Sequence, residues 1–176
     1  MNRTVLERLV SEELSLPMDL VRSINGEFID VIMTMVDEGR CVHVPGIGYI
    51  LAVRYNSSFK VEALSDTSDA REFDFPRSPR MVPEDSLSLV ETKPYPNVLP
   101  IEAVIDAVAR RCPRQDASTI DMIIQGVIGE IIRSARGHGR VTIKSFGTFT
   151  KVGDRSSSLS FDPAERFKRK LAVAKP

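Results

Sequence analysis

The sequence predicts an α+β fold made of two copies of one module, each running helix, helix, β-hairpin and short closing helix. Three observations carry this expectation: a repeat at an offset of 99 residues, a switch from helical to strand periodicity inside each copy, and a proline-rich stretch between them. The expected division is residues 1–90 for the first module, 91–99 for a linker and 100–176 for the second.

Taken in chain order, the offset of 99 first pairs Leu6 with Ile105 and Leu9 with Val108, apolar positions of a first helix. It then pairs Val21 with Ile120, Ile24 with Ile123, Phe28 with Val127 and Ile32 with Ile131, the apolar stripe of a second helix. That stripe has the 3.6-residue period of a half-buried helix. It stops near Gly39 in one copy and near Gly137 and Gly139 in the other. Glycine ends helices because it enters the left-handed region without a steric penalty.

Strand-like runs follow at once, Cys41-Val42-His43-Val44 and Arg140-Val141-Thr142-Ile143. Gly46-Ile47-Gly48 and Ser145-Phe146-Gly147 then turn each chain into a second strand, and the same offset pairs Val42 with Val141, Val44 with Ile143, Gly48 with Gly147 and Ile50 with Phe149. One register thus carries both periodicities. The close of each copy repeats at a smaller offset of 80, laying Met81-Val82-Pro83 on Phe161-Asp162-Pro163, with proline starting a short helix. The second copy therefore lacks 19 residues, the difference between the two offsets, and the first copy's excess falls between Tyr55 and Arg80. Between the copies, the stretch from Pro76 to Pro100 holds six of the eleven prolines, and Glu91 to Leu99 reads as a semi-rigid linker.

Composition narrows the function classes. A hydrophobic content of 42% with 27% charged residues is enough to build a core. No apolar run approaches the roughly 20 residues needed to cross a bilayer, and the N-terminus lacks a secretory core, so a cytoplasmic protein is expected. Two cysteines, Cys41 and Cys112, and two histidines, His43 and His138, form no metal or disulfide pattern. No nucleophile motif is present, so neither an enzyme nor a cofactor is expected. The net charge is zero but unevenly placed: residues 1–96 hold 10 Lys and Arg against 16 Asp and Glu, while residues 97–176 hold 14 against 8. One half is acidic and the other basic, and grouped cations on one module are the electrostatic footprint of nucleic-acid binding.

The run Met1-Asn2-Arg3-Thr4, the turn Gly46-Ile47-Gly48-Tyr49, Phe73-Asp74-Phe75-Pro76 and Met81-Val82-Pro83 resemble the HU and integration-host-factor family of bacterial DNA-bending proteins across most of residues 1–90. In the second copy, Ser145-Phe146-Gly147-Thr148-Phe149 and Phe161-Asp162-Pro163 carry the likeness. The resemblance implies that the two copies form an intramolecular pseudo-dimer, doing in one chain what the family does with two. It also implies β-ribbon arms that enter the minor groove, with an apolar wedge at each tip and basic flanks on the bent duplex. This sequence departs from the family in keeping one arm, from about Tyr55 to Phe75, the second copy closing through Gly153 to Ser158. The arm tip from Glu62 to Asp69 has no proline, leaving Leu64 as the candidate wedge, and Asp85 and Glu165 stand where the family tends to carry lysine.

The candidate DNA-binding residues are Arg3, Gly46, Gly48 and Arg54 in the first copy. In the second they are Lys144, Gly147, Lys151, Arg155, Arg166, Lys168, Arg169 and Lys170. Amides in glycine turns can hold phosphate oxygens, and a Gly-x-Gly turn also serves simply to tighten a hairpin. The expected function is architectural, nucleoid-type binding and condensation of duplex DNA through its backbone, with little base specificity. The alternative is a structural or protein-interaction module, such as a phage component, whose acidic half engages a basic protein partner. Its zero net charge and acidic arm motivate that alternative, and the same charge division permits head-to-tail association of copies.

Overall fold

The computed structural model describes residues 1–55, 61–63, 77–83, 98–153 and 158–172. Asn2 begins the fold: its side chain accepts the Val5 N–H at 3.0 Å and caps α1 (Arg3–Leu14). Helix α1 closes at Ser15 in the left-handed region, with Leu16 N–H donating to Ser11 O and Ser15 N–H to Glu12 O. Helix α2 (Met18–Asp37) ends the same way at Gly39, where φ is +86°. Arg40 N–H donates to Met35 O and Gly39 N–H to Val36 O, which satisfies carbonyls the helix end would leave open.

After α2 come β1 (Cys41–Val44), β2 (Gly48–Tyr55), β3 (Val61–Ala63), β4 (Arg77–Pro83) and β5 (Val98–Leu99). The chain continues as α3 (Ile101–Arg111), α4 (Ala117–His138), β6 (Arg140–Ile143), β7 (Gly147–Lys151), β8 (Leu159–Pro163) and α5 (Glu165–Ala172). The described residues therefore form a mixed α+β structure of five helices and two sheets. None of these helices is long and apolar enough to cross a membrane.

Both offsets read from the sequence recur in the strand registers. Gly48 pairs with Pro83 and Ile50 with Met81 in the first sheet; Gly147 pairs with Pro163 and Phe149 with Phe161 in the second. Adding 99 to the β2 residues and 80 to the β4 residues converts one set into the other. The hairpin turns match too: Ile47 N–H donates to Val44 O and Phe146 N–H to Ile143 O, with φ of +81° at Gly46 and +77° at Ser145.

The first helices differ from the sequence expectation by one residue. Burial matches Leu6 with Val104 and Val10 with Val108, all at 0% exposure, an offset of 98 in place of 99. The cause is the helix connection: Cys112 to Asp116 is two residues longer than Ser15 to Pro17, while α3 is one residue shorter than α1, a net difference of one. Strand contacts give the same offset. Val98 and Leu99 run parallel to Cys41 and Val42, and Asn2 bridges in parallel to Thr142. The segment before each first helix thus lies on the opening strand of the other repeat.

Helix packing is crossed in the same sense: α1 lies on α4, α3 on α2, and α2 against α4. Leu6, Val10, Ile24, Phe28 and Ile32 share one continuous core with Val104, Val108, Ile123, Val127 and Ile131. At the crossing of α1 and α4, a Cβ on Gly126 would lie 3.2 Å from Val10 and 3.3 Å from Leu14, so the small residue permits the close approach. The two sheets meet along β4 and β8.

Cys41 lies on the face of the first sheet that points away from this core. Burial pushes its thiol up to about 12. An acid whose folded pKa is raised favours the fold in its protonated form, so that contribution is complete below about 9 and disappears as pH rises toward 12. Cys41 is expected to resist iodoacetamide at pH 8 until urea unfolds the chain, and urea stability is expected to fall more between pH 9 and 11 in the parent than in Cys41→Ala. Native-state alkylation at the unfolded rate would refute this.

Candidate nucleic-acid interface

Four phenylalanines build the platform for the basic segment. Phe146 from the β6–β7 turn, Phe149 from β7, Phe161 from β8 and Phe167 from α5 stack with ring centroids 4.9–6.5 Å apart. Ala164 N–H also donates to Phe146 O at 2.9 Å, tying the start of α5 to the turn that carries Lys144. Within α5, Phe167 and Leu171 are buried, and their i, i+4 spacing sets the inward stripe. Arg169 then points farthest from the core at 100° per residue, and Arg166 and Arg169 are both exposed.

The other two cations of α5 are partly engaged. Lys168 Nζ lies 3.4 Å from Glu165, and Lys170 Nζ donates to Thr34 Oγ1 of α2 at 3.2 Å. Lys144 is exposed at the hairpin tip and Lys151 half-buried at the end of β7. Arg155 and the side chain of Arg54 lie outside the described residues, as do Leu64, Asp85 and all of the arm but Val61–Ala63. The part of the arm that is described turns back: β3 pairs with Val53–Tyr55 of β2, on the edge opposite β4.

In the first repeat the candidates are more occupied. Arg3 Nε lies 2.6 Å from Glu7, which is 1% exposed and also receives Asn25 Nδ2 at 2.8 Å and Arg22 at 3.6 Å. The glycines have steric duties. A Cβ on Gly46 would sit 2.7 Å from Ile132 Cδ1, one on Gly48 2.3 Å from Val82 O, and one on Gly147 2.3 Å from the Phe161 ring. Gly48 and Gly147 are buried and Gly46 is exposed.

The outward faces of the two sheets differ sharply. Register and alternation place Cys41, Tyr49, Leu51, Val53, Val82 and Val98 together on the first, where they form a separate apolar cluster with Cys41, Leu51 and Val53 buried. The second sheet presents Arg140, Thr142, Thr148, Thr150, Ser160 and Asp162. The Thr142 and Thr148 hydroxyls lie 3.1 Å apart, and Arg140, Thr150, Ser160 and Asp162 are exposed. Sequence reasoning missed this contrast and Arg140 with it. The signal was present in the unbroken apolar run Tyr49-Ile50-Leu51-Ala52-Val53, which reads as a strand covered on both faces, against the strict alternation of Thr148-Phe149-Thr150.

No protein-family model matches the chain, and no curated protein matches it in sequence.

The arrangement suits a polyanion. Exposed arginine and lysine at Arg140, Lys144, Arg166 and Arg169, with strand hydroxyls beside Arg140, are groups that can contact phosphate oxygens. Several acids of the first half are paired within the chain: Glu7 with Arg3 and Arg22, Asp37 with Arg77, Glu13 with Arg133, and Glu27 and Asp30 with Arg111. Arg111, already cationic, is held further toward the protonated form by its hydrogen bond to Asp30.

Proposed function

We propose that the chain is an HU-like, single-chain pseudo-dimer that binds duplex DNA through its backbone, asymmetrically, with the second repeat as the contacting half. The two-module reading is supported by the matched strand registers and by the crossed packing of each repeat's leading segment on the other. The binding reading is carried by one observation above all: a basic helix clamped by a phenylalanine platform beside a lysine-tipped hairpin. A rigid base matters because cations fixed on a packed element lose less freedom on contact than cations on a loose tail. Contacts to phosphate and sugar carry no sequence information, so specificity is expected to be low.

The test is a gel-shift titration of the full chain on duplex DNA. Four phosphate contacts give a slope of about −3.6 in log affinity against log salt, or a loss of about 150-fold between about 50 and 200 mM. Neutralising Lys168, Arg169 and Lys170 together is expected to remove most of the affinity, with Arg169→Ala the largest single loss. Affinity indifferent to both salt and these changes would overturn the proposal.

A second reading, a structural or protein-interaction module, has support of its own in the first sheet. Its outward face offers Arg80 and His43 as the only basic side chains among the described residues, set around an apolar cluster. A symmetric DNA saddle would want cations there. A pull-down after nuclease treatment separates the readings: retention of a basic protein favours the second, and recovery of nucleic acid alone counts against it.

A further inference from the structure

Two sites at the contact between the repeats occupy equivalent places yet carry opposite charge. At one, Arg111 at the end of α3 reaches across to α2, 2.5 Å from Asp30 and 3.3 Å from Glu27. At the other, Glu13 near the end of α1 meets Arg133 of α4 at 3.4 Å. The offset of 98 that matches the first helices places Arg111 on Glu13. The offset of 99 that matches the second helices places Gly126, Gly129 and Arg133 on Glu27, Asp30 and Thr34. The end of a first helix therefore faces the same stretch of the opposite second helix at both sites. Every acid in these contacts comes from the first repeat and each base that meets one across the contact from the second.

We propose that this interface is charge-coded: it accepts a module of the basic kind against the acidic one and rejects a second copy of either. Replacing each repeat in turn by a copy of the other removes the complementarity. If the first repeat met a copy of itself, Glu13 would face Glu27 and Asp30 at both sites, with no cation present. If the second repeat met its own copy, Arg111 would face Arg133 across two glycines at both sites. Only the mixed pairing matches opposite charges twice. The attraction in such half-exposed pairs is small, with side-chain exposures of 37–60%, but like-charge juxtaposition penalises the wrong partner. Repeats of one ancestry share an apolar core pattern, so shape alone separates them poorly and charge is left to specify the partner. The code gives the chain a reason to close on itself and makes an acidic single module elsewhere a rejected partner for the first repeat.

This inference rests on the two-module reading and is independent of DNA binding. Its test is the thermal melting of full-length chains without DNA, at low and high salt. E13R/R111E keeps the net charge and turns both sites repulsive. It is expected to melt about 5 °C below the parent at low salt, with the gap closing at high salt as screening removes the repulsion. Adding E27R, D30R and R133E restores complementarity with the signs exchanged, and this five-fold variant is expected to recover most of the loss. R133E also leaves the buried Glu130 without its 3.3 Å partner, so recovery is expected to be incomplete. The control R8E/E12R swaps a pair within one helix, at 4.0 Å, and is expected to melt like the parent. A double variant that melts like the parent, or a five-fold variant no better than the double, overturns the proposal. Should the double variant fail to fold, the five-fold variant decides alone: folding supports the code and failure sinks it. A parent that fails the gel shift while this series behaves as expected removes only the DNA reading.

Discussion

Phe167→Ala is expected to lower stability by about 3–5 kcal/mol and, with it, to release the segment that carries the basic face. Phe167 is 0% exposed and stacks on Phe146 at 5.4 Å and against Phe161 at 6.5 Å. Helix α5 has eight residues, too few to persist unaided, because helix nucleation is unfavourable and short helices depend on packing. Its hold on the body comes from Phe167, from Leu171 and from the Ala164 to Phe146 hydrogen bond. Removing the ring leaves a cavity the size of a phenyl group beside Phe146 and Phe161, which cannot both collapse into it. The melting temperature should fall by about 6–20 °C, at 2–4 °C per kcal/mol for a chain of this size. Trypsin should then cut at Arg166, Lys168 and Arg169 in the folded protein, and DNA affinity should drop although no cation was removed. A variant that melts within about 2 °C of the parent and resists trypsin equally would show that α5 is held by other means.

How much of this was legible in the sequence depends on the physical signal in question. The α+β class was, because a continuous offset of 99 from Val21 to Ile50 ties a helical stripe to a strand, and both periodicities come from burial. The offset in the first helices was missed by one residue, since the apolar positions of a short amphipathic helix tolerate a slip onto neighbouring apolar residues. Val104 sits one place from the Ile105 first matched to Leu6, and Val108 aligns with Val10, one place from the Leu9 first matched to it. The i, i+4 spacing of Arg3 and Glu7 was there to be read, but the burial of that pair was not, because the Asn25 that completes the cluster lies 18 residues beyond Glu7 on another helix. The basic run of α5 could be read directly. Its orientation required knowing that Phe167 and Leu171 face inward, which the spacing alone hints at and the phenylalanine platform fixes. The crossed pairing of each leading segment with the other repeat was not readable at all, since two or three residues of strand carry no periodicity.

The matched glycines of the two sheets permit a sharper test of those registers. Gly147→Ala places a methyl 2.3 Å from Phe161 Cε2 and 2.6 Å from Asp162 O, and Gly48→Ala places one 2.3 Å from Val82 O with φ at +150°. No real side chain sits so close, and in each case one obstacle is the backbone of the neighbouring strand. Relief requires β7 to part from β8, or β2 from β4, along a ladder whose hydrogen bonds then lengthen. A cost of about 3 kcal/mol is expected for each, the upper end of overpacking in a tight core, or about 6–12 °C in melting temperature. Gly48 adds backbone strain that Gly147 lacks, so it should be the worse of the two. Gly129→Ala supplies the contrast: the position is helical, nothing lies within 4 Å of the added methyl, and alanine loses less chain entropy on folding. It is expected to raise stability by about 0.5–1 kcal/mol. The same chemical change therefore has opposite signs, decided by what surrounds the added methyl and by the backbone conformation it must adopt. If Gly147→Ala melts like the parent, the pairing of Gly147 with Pro163 is wrong, and the platform that carries the basic helix is wrong with it.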